Sequence, residues 1–131
     1  MNLIDNFLLD EVSHQAQSSP RLRMNHNFHD SMQSPSQRLL NALEPDTVLP
    51  IHRHVLTDET YIVLRGKLWV RFYDDDKRVV EEALLDPVNG SFGVNIPAGQ
   101  WHSIEVMASG TVIFECKDGP YTALEEKDVL V

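Results

Sequence analysis

An all-β barrel or sandwich with a short helical N-terminus is the fold class this sequence predicts, and three observations point there. Residues 48–117 divide into seven short runs of strand-forming residues. The breaks between them hold the residue types that tight turns require, namely Arg65-Gly66, Asp74-Asp75-Asp76-Lys77, Asp86-Pro87-Val88-Asn89-Gly90, Pro97-Ala98-Gly99 and Ser109-Gly110. Ahead of these runs, the apolar period shifts at Pro20 from a helical three-to-four-residue step to strand alternation. Short strands at this spacing indicate a sandwich or barrel. A chain of 131 residues is one domain, able to bury roughly 68% of its unfolded surface without staples.

Each element follows from its own pattern. Leu3, Ile4, Phe7, Leu8 and Val12 recur at helical steps, with Asp5, Asp10, Glu11 and Gln15 between them, which predicts an amphipathic helix ended by Ser18-Ser19-Pro20. Arg21, Arg23, Asn25, Asn27 and His29 then alternate with Leu22, Met24 and Phe28, which predicts a half-buried strand with one polar face. Ser34-Pro35-Ser36-Gln37 carries a serine cap, a proline at the first helical position and a capping-box glutamine. It predicts a second helix, with Leu39, Leu40 and Leu43 as its apolar face and Glu44-Pro45 as its stop. Residues 1–45 are therefore expected to be helix, strand and helix packed on a barrel. The barrel itself is expected over 46–117, with strands at 48–54, 60–64, 67–73, 78–85, 92–96, 102–106 and 111–117. Residues 118–131, with Glu125-Glu126-Lys127-Asp128, read as a solvated tail.

Charge and composition narrow the function classes. Lys and Arg total 11 against 20 Asp and Glu, for a net charge of −9. Attraction to nucleic acid or to an anionic membrane therefore starts at a disadvantage. The single cysteine, Cys116, excludes an internal disulfide and a four-cysteine zinc site. No apolar run approaches spanning length, and the first eleven residues lack the basic region of a secretion signal. A cytoplasmic protein without nucleic-acid or membrane partners is the expectation.

The chemistry concentrates in two segments. Pro50-Ile51-His52-Arg53-His54-Val55-Leu56-Thr57-Asp58-Glu59 sets two histidines two apart on a predicted strand, so both imidazoles share a face, and a turn can return Glu59 to the same point. Pro97-Ala98-Gly99-Gln100-Trp101-His102 places a third histidine at a strand start. Three imidazoles and a carboxylate suit one divalent transition metal, Fe, Mn, Ni, Co or Zn, with positions open for water or substrate.

In order and spacing these residues resemble the cupin superfamily. Its first motif reads here as His52-x-His54, four residues, Glu59, six residues, Gly66; its second reads as Gly90, Pro97-x-Gly99, two residues, His102. Asp46 stands where the first motif usually has a glycine, Gly90 lies one residue farther from Pro97 than usual, and Val106 replaces a frequent asparagine. None of these departures removes a ligand. The resemblance implies a single antiparallel jelly-roll barrel with His52, His54, Glu59 and His102 on one metal. Ser19-Pro20-Arg21-Leu22-Arg23-Met24-Asn25-His26-Asn27-Phe28-His29, Gln37-Arg38-Leu39-Leu40-Asn41 and Glu44-Pro45 are similar, more narrowly, to the WbuC-type cupins, a group associated with O-antigen and other surface-polysaccharide gene clusters.

Parity and charge extend the site. If Glu59 points inward so does Tyr61, either beside the metal as a proton donor or as a core tyrosine at the barrel rim. Arg21 and Arg23, with Asn25, either grip an anionic substrate or form an exposed face. His29 shares that face and is a second candidate base. The leading expectation is a metal-dependent isomerase or epimerase acting on a sugar-derived small molecule, an anionic derivative where the arginines grip it, with Tyr61 or His29 moving the proton. An iron-dependent dioxygenase and a non-catalytic sugar- or metabolite-binding cupin are the alternatives, and fold alone does not choose among them. Open sheet edges predict a homodimer.

Overall fold

Hydrophobic alternation within short strands leaves two sheets whose inner faces must cover each other, and that is the observed architecture. The computed structural model describes residues 1–131. After helix α1 (Asn6–Ser18) come β1 (Arg23–Asn27), β2 (Ser36–Leu43), β3 (Ile51–His52), β4 (Glu59–Arg65), β5 (Leu68–Tyr73), β6 (Val79–Leu85), β7 (Gly93–Ile96), β8 (Trp101–Val106), β9 (Thr111–Asp118) and β10 (Val129–Leu130). One five-stranded sheet has the order β1-β2-β9-β4-β7 and the other β10-β3-β8-β5-β6. Every pairing is antiparallel. The result is an all-β jelly roll of cupin type with a single N-terminal α-helix.

Two apolar layers hold it. Between the sheets, Leu43, Tyr61, Val63, Leu68, Val70, Leu85, Ile96, Val106 and Ile113 form the barrel core. On the outer face of the first sheet, Leu9, Val12 and Ala16 of α1 pack on Leu40, Ala42 and Val112. Asp5 caps α1 by accepting a hydrogen bond from the Leu8 amide at 3.0 Å. Arg65, at the end of β4, pins the helix through Asp10 at 2.6 Å and Ser13 at 3.1 Å.

The second expected helix is a strand. Residues 36–43 form β2, paired along its whole length with β9, from Ser36 opposite Asp118 to Leu43 opposite Thr111. Leu43 enters the barrel core while Leu40 and Ala42 lie under α1. A strand buried on both faces loses the period-two signal, so its leucines read as a helical face. The capping pattern at Ser34-Pro35-Ser36-Gln37 serves a loop instead, with Gln37 Nε2 donating to the Ser34 carbonyl at 3.0 Å. The expected 48–54 strand shrinks to β3, and the expected solvated tail returns as β10, which pairs with β3.

Gly66 makes the β4–β5 turn at φ +86°, and a Cβ there would collide with the backbone and side chain of Thr111. Thr111 Oγ1 in turn accepts from the Lys67 amide at 3.3 Å and donates to the Ala108 carbonyl at 2.7 Å, locking two turns at one end of the barrel.

Candidate metal centre

At the other end the strands bring the motif residues together. Glu59 opens β4, His102 is the second residue of β8, and His52 pairs directly across from His102. His54 follows β3 in a loop tied to the turn before β8: the Gly99 amide donates to the His54 carbonyl and the Ala98 amide to Asp58 Oδ1, both at 2.8 Å. The two sequence segments are thus joined by their own turn residues. Candidate ligand atoms of His52, His54, Glu59 and His102 all lie within 4.8 Å of one another. Glu59 Oε1 lies 3.4 Å from His102 Nε2 and 3.7 Å from His54 Nε2.

The donor chemistry fits a metal ion. His52 Nδ1 sits 3.0 Å from the Pro50 carbonyl and His102 Nδ1 2.9 Å from the Gln100 carbonyl, contacts that place the ring proton on Nδ1 and leave Nε2 as the free lone pair. His102 Nε2 is buried without a hydrogen-bond partner, an orphan that a metal would satisfy. Burial, then the neighbouring His102, pushes His52 down to about 4, and burial also lowers His54, so these imidazoles are neutral ligands at neutral pH. Burial would raise Glu59, but His102, His54 and Lys117 together outweigh it and hold the carboxyl down at about 2. Tyr61 donates to Glu59 Oε1 at 2.8 Å and fixes the carboxylate. Burial and the charges of Glu59 and Glu115 raise the Tyr61 phenol well above its ordinary value, so it is a proton donor and not a base.

Above the cluster lies a hollow of about 140 Å³ lined by Asn41, Leu49, His52, His54, Glu59, Tyr61, Ile104, Glu115 and Lys117. Glu115, Lys117 and Asn41 are functional candidates that the sequence reading missed. Glu115 lies across from Tyr61 in the β4–β9 register and accepts from Asn41 Nδ2 at 2.9 Å. Burial, then the charge of Glu59, raises its carboxyl to about 7 against the pull of Asn41 and Lys117. The available signal was parity: Glu115 and Lys117 continue the inward positions of Thr111 and Ile113.

The other predicted residues divide. Tyr61 is at the cluster. Asn25 and His29 line a neighbouring hollow, where His29 Nδ1 accepts from the Arg38 amide at 3.0 Å. Arg21 and Arg23 line neither hollow. Leu22 takes a left-handed φ of +57°, so strand alternation begins only at Arg23 and the two arginines do not share a strand face. Arg23 instead donates to Thr47 Oγ1 at 3.4 Å and to the Val48 carbonyl at 3.2 Å, while Arg21 is exposed.

A cupin-type jelly roll with a three-histidine, one-glutamate cluster able to hold a metal is therefore the class that fold and site define. Residues 4–85 match the family model described as a domain of unknown function (DUF6016), and the chain belongs to that family. No curated protein matches it in sequence. Among solved structures, TT1209 from Thermus thermophilus is 24% identical over 92% of this chain and 98% of its own, with a TM-score of 0.62. A proposed sugar phosphate isomerase from Acidithiobacillus ferrooxidans is 20% identical over 74% of this chain and 59% of its own, with a TM-score of 0.58. The capsular polysaccharide assembling protein CapF from Staphylococcus aureus is 18% identical over 81% of this chain, with a TM-score of 0.57, and the match spans only 30% of CapF. At these identities the likeness is one of fold. No helix is long and apolar enough to cross a membrane.

Proposed function

We propose that this protein is a WbuC-type, metal-dependent cupin that isomerises or epimerises a sugar-derived small molecule in bacterial surface-polysaccharide metabolism. The observation that carries the reading is the convergence of His52, His54, Glu59 and His102, three of which line a hollow together with a hydrogen-bonded phenol and a second carboxyl. The sugar class draws support from the fold likeness to a proposed sugar phosphate isomerase and to a capsular polysaccharide assembling protein. A divalent transition metal at the cluster would supply Lewis-acid polarisation of a carbonyl or hydroxyl oxygen.

The chain's own groups supply the proton chemistry. Tyr61 keeps its proton and orients Glu59. Glu115, on the wall of the same hollow, is the group placed to accept and return a substrate proton, and a carboxyl near 7 matches that task at neutral pH. His29 lies in the adjoining hollow with Nδ1 engaged by Arg38, so the base role passes from it to Glu115. Open edges at β1, β6, β7 and β10 support a homodimer, which light scattering at micromolar concentration tests; a single-chain mass contradicts it.

The reaction test is hydrogen exchange. Metal-loaded protein incubated in deuterated water with aldoses, ketoses and their acid and phosphate derivatives should place deuterium on the carbon next to a carbonyl, read by NMR, and Glu115→Gln should slow this by about 100-fold or more. Oxygen consumption by iron-loaded protein without exchange would replace this reading with the dioxygenase. Binding without either reaction would leave a sugar-binding cupin.

A further inference from the structure

The hollow above the cluster has a neighbour that shares Glu115 and Lys117 with it. Both side chains also line a second hollow of about 100 Å³ with Asn25, Asn27, His29, Gln37 and Tyr121 among its walls. The register explains this sharing. Lys117 has Glu59 opposite it on β4 and Gln37 opposite it on β2, while Asn25 pairs with Asn41 and Asn27 with Leu39. A polar strip therefore runs along the inner face of one sheet, from the metal ligands to the edge strand β1.

Three of its groups, Asn25, Asn27 and Lys117, are uncommitted. Asn25 and Asn27 are exposed, and their amides bond to no other side chain or backbone group of the fold, and half-buried Lys117 makes no ion pair within 4.0 Å although two carboxylates flank it. Its ammonium instead stands 5.9 Å from the Tyr121 ring. Free amides, a phenol ring and one unpaired cation are the groups that bind hydroxyls and a single anionic group. Hollows of about 140 and 100 Å³ have the scale of one monosaccharide unit.

We propose that Lys117 is the anion anchor of a substrate cleft spanning both hollows, and that its ligand is a monosaccharide bearing one carboxylate or phosphate, with Asn25 and Asn27 taking the hydroxyls remote from the metal. This rests on the sugar reading above and deepens it. In a protein of net charge −9, Lys117 is the positive side chain that meets the ligand within the cleft.

The test is calorimetry of metal-loaded protein with glucuronate, glucose 6-phosphate and glucose, on wild type, Lys117→Met, Lys117→Gln and Asn27→Ala, with metal content measured for each. Expected is tighter binding of one or both anionic sugars than of glucose, weakened about 10- to 100-fold by either Lys117 substitution and several-fold by Asn27→Ala, with metal content unchanged. The preferred anion identifies the source, carboxylate or phosphate. Glucose and the anionic sugars binding alike, with the Lys117 variants indistinguishable from wild type, overturns the anchor and leaves the sugar reading standing. Failure of wild type to bind any of the three overturns both. Should Lys117→Met not fold, Lys117→Gln and Asn27→Ala decide the matter, since Asn27 lies on an exposed edge.

Discussion

The four candidate ligands come from two kinds of scaffold. Glu59 and His102 sit within strands of seven and six residues, each paired on both sides, and their side chains are 3% and 1% exposed. His52 sits on a two-residue strand and His54 in the loop beyond it. One side of β3 is held by the single His52–His102 pair, and the other by Val129 and Leu130 of β10. Arg53, between the two histidines, stacks 4.3 Å over Trp101 and binds Asp128 at 3.3 Å, and its amide donates to the Asp128 carbonyl at 3.1 Å. Half of the site is therefore built into the barrel, and half is held in place by the C-terminal segment.

That difference is open to attack. His102→Ala, which removes a ligand from the rigid half, should lower metal affinity by well over 100-fold, measured by competition with a chelating dye. Deleting residues 121–131 leaves all four ligands in the chain but removes the support of β3. It should cost about 10- to 100-fold in affinity, the range of lost outer-shell support, with the β-sheet circular dichroism kept. Undiminished affinity after the deletion would mean that His52 and His54 are held by the barrel alone.

His52 of the cluster and Glu115 on the wall of its hollow titrate in opposite senses in metal-free protein. His52, lowered from 6.5 to about 4, binds its proton more readily when unfolded, so its contribution is present above 6.5 and is lost as pH falls toward 4. Glu115, raised from 4.5 to about 7, binds its proton more readily when folded, so its contribution is present below 4.5 and is lost as pH rises through 7. Glu115→Gln should therefore stabilise metal-free protein at pH 8 relative to pH 5 by about 1–3 kcal/mol, measured by urea unfolding. A smaller effect is expected of Arg53→Ala, about three-fold in metal affinity, because the β3–β10 backbone bonds survive it.

Legibility in the sequence follows the same division. The four residues of the cluster were readable because turn residues and strand parity fix them locally, and Pro97-Ala98-Gly99 meets the His54–Glu59 loop. Residues 36–43 misread because α1 and the barrel core bury both faces of β2. Arg21 and Arg23 do not share the strand face that alternation predicts because a left-handed Leu22, which no such pattern reveals, breaks the strand between them. Asn41, Glu115 and Lys117 come from two strands and became a site only when the register aligned them with β4.

The most direct measurement of the central claim is elemental analysis of protein purified without a polyhistidine tag, dialysed near neutral pH, for wild type and His54→Ala side by side. The account predicts about one divalent transition metal per chain in the wild type, with His54→Ala largely depleted. A wild type that stays metal-free even after reconstitution, or a His54→Ala protein that keeps full occupancy, would contradict it.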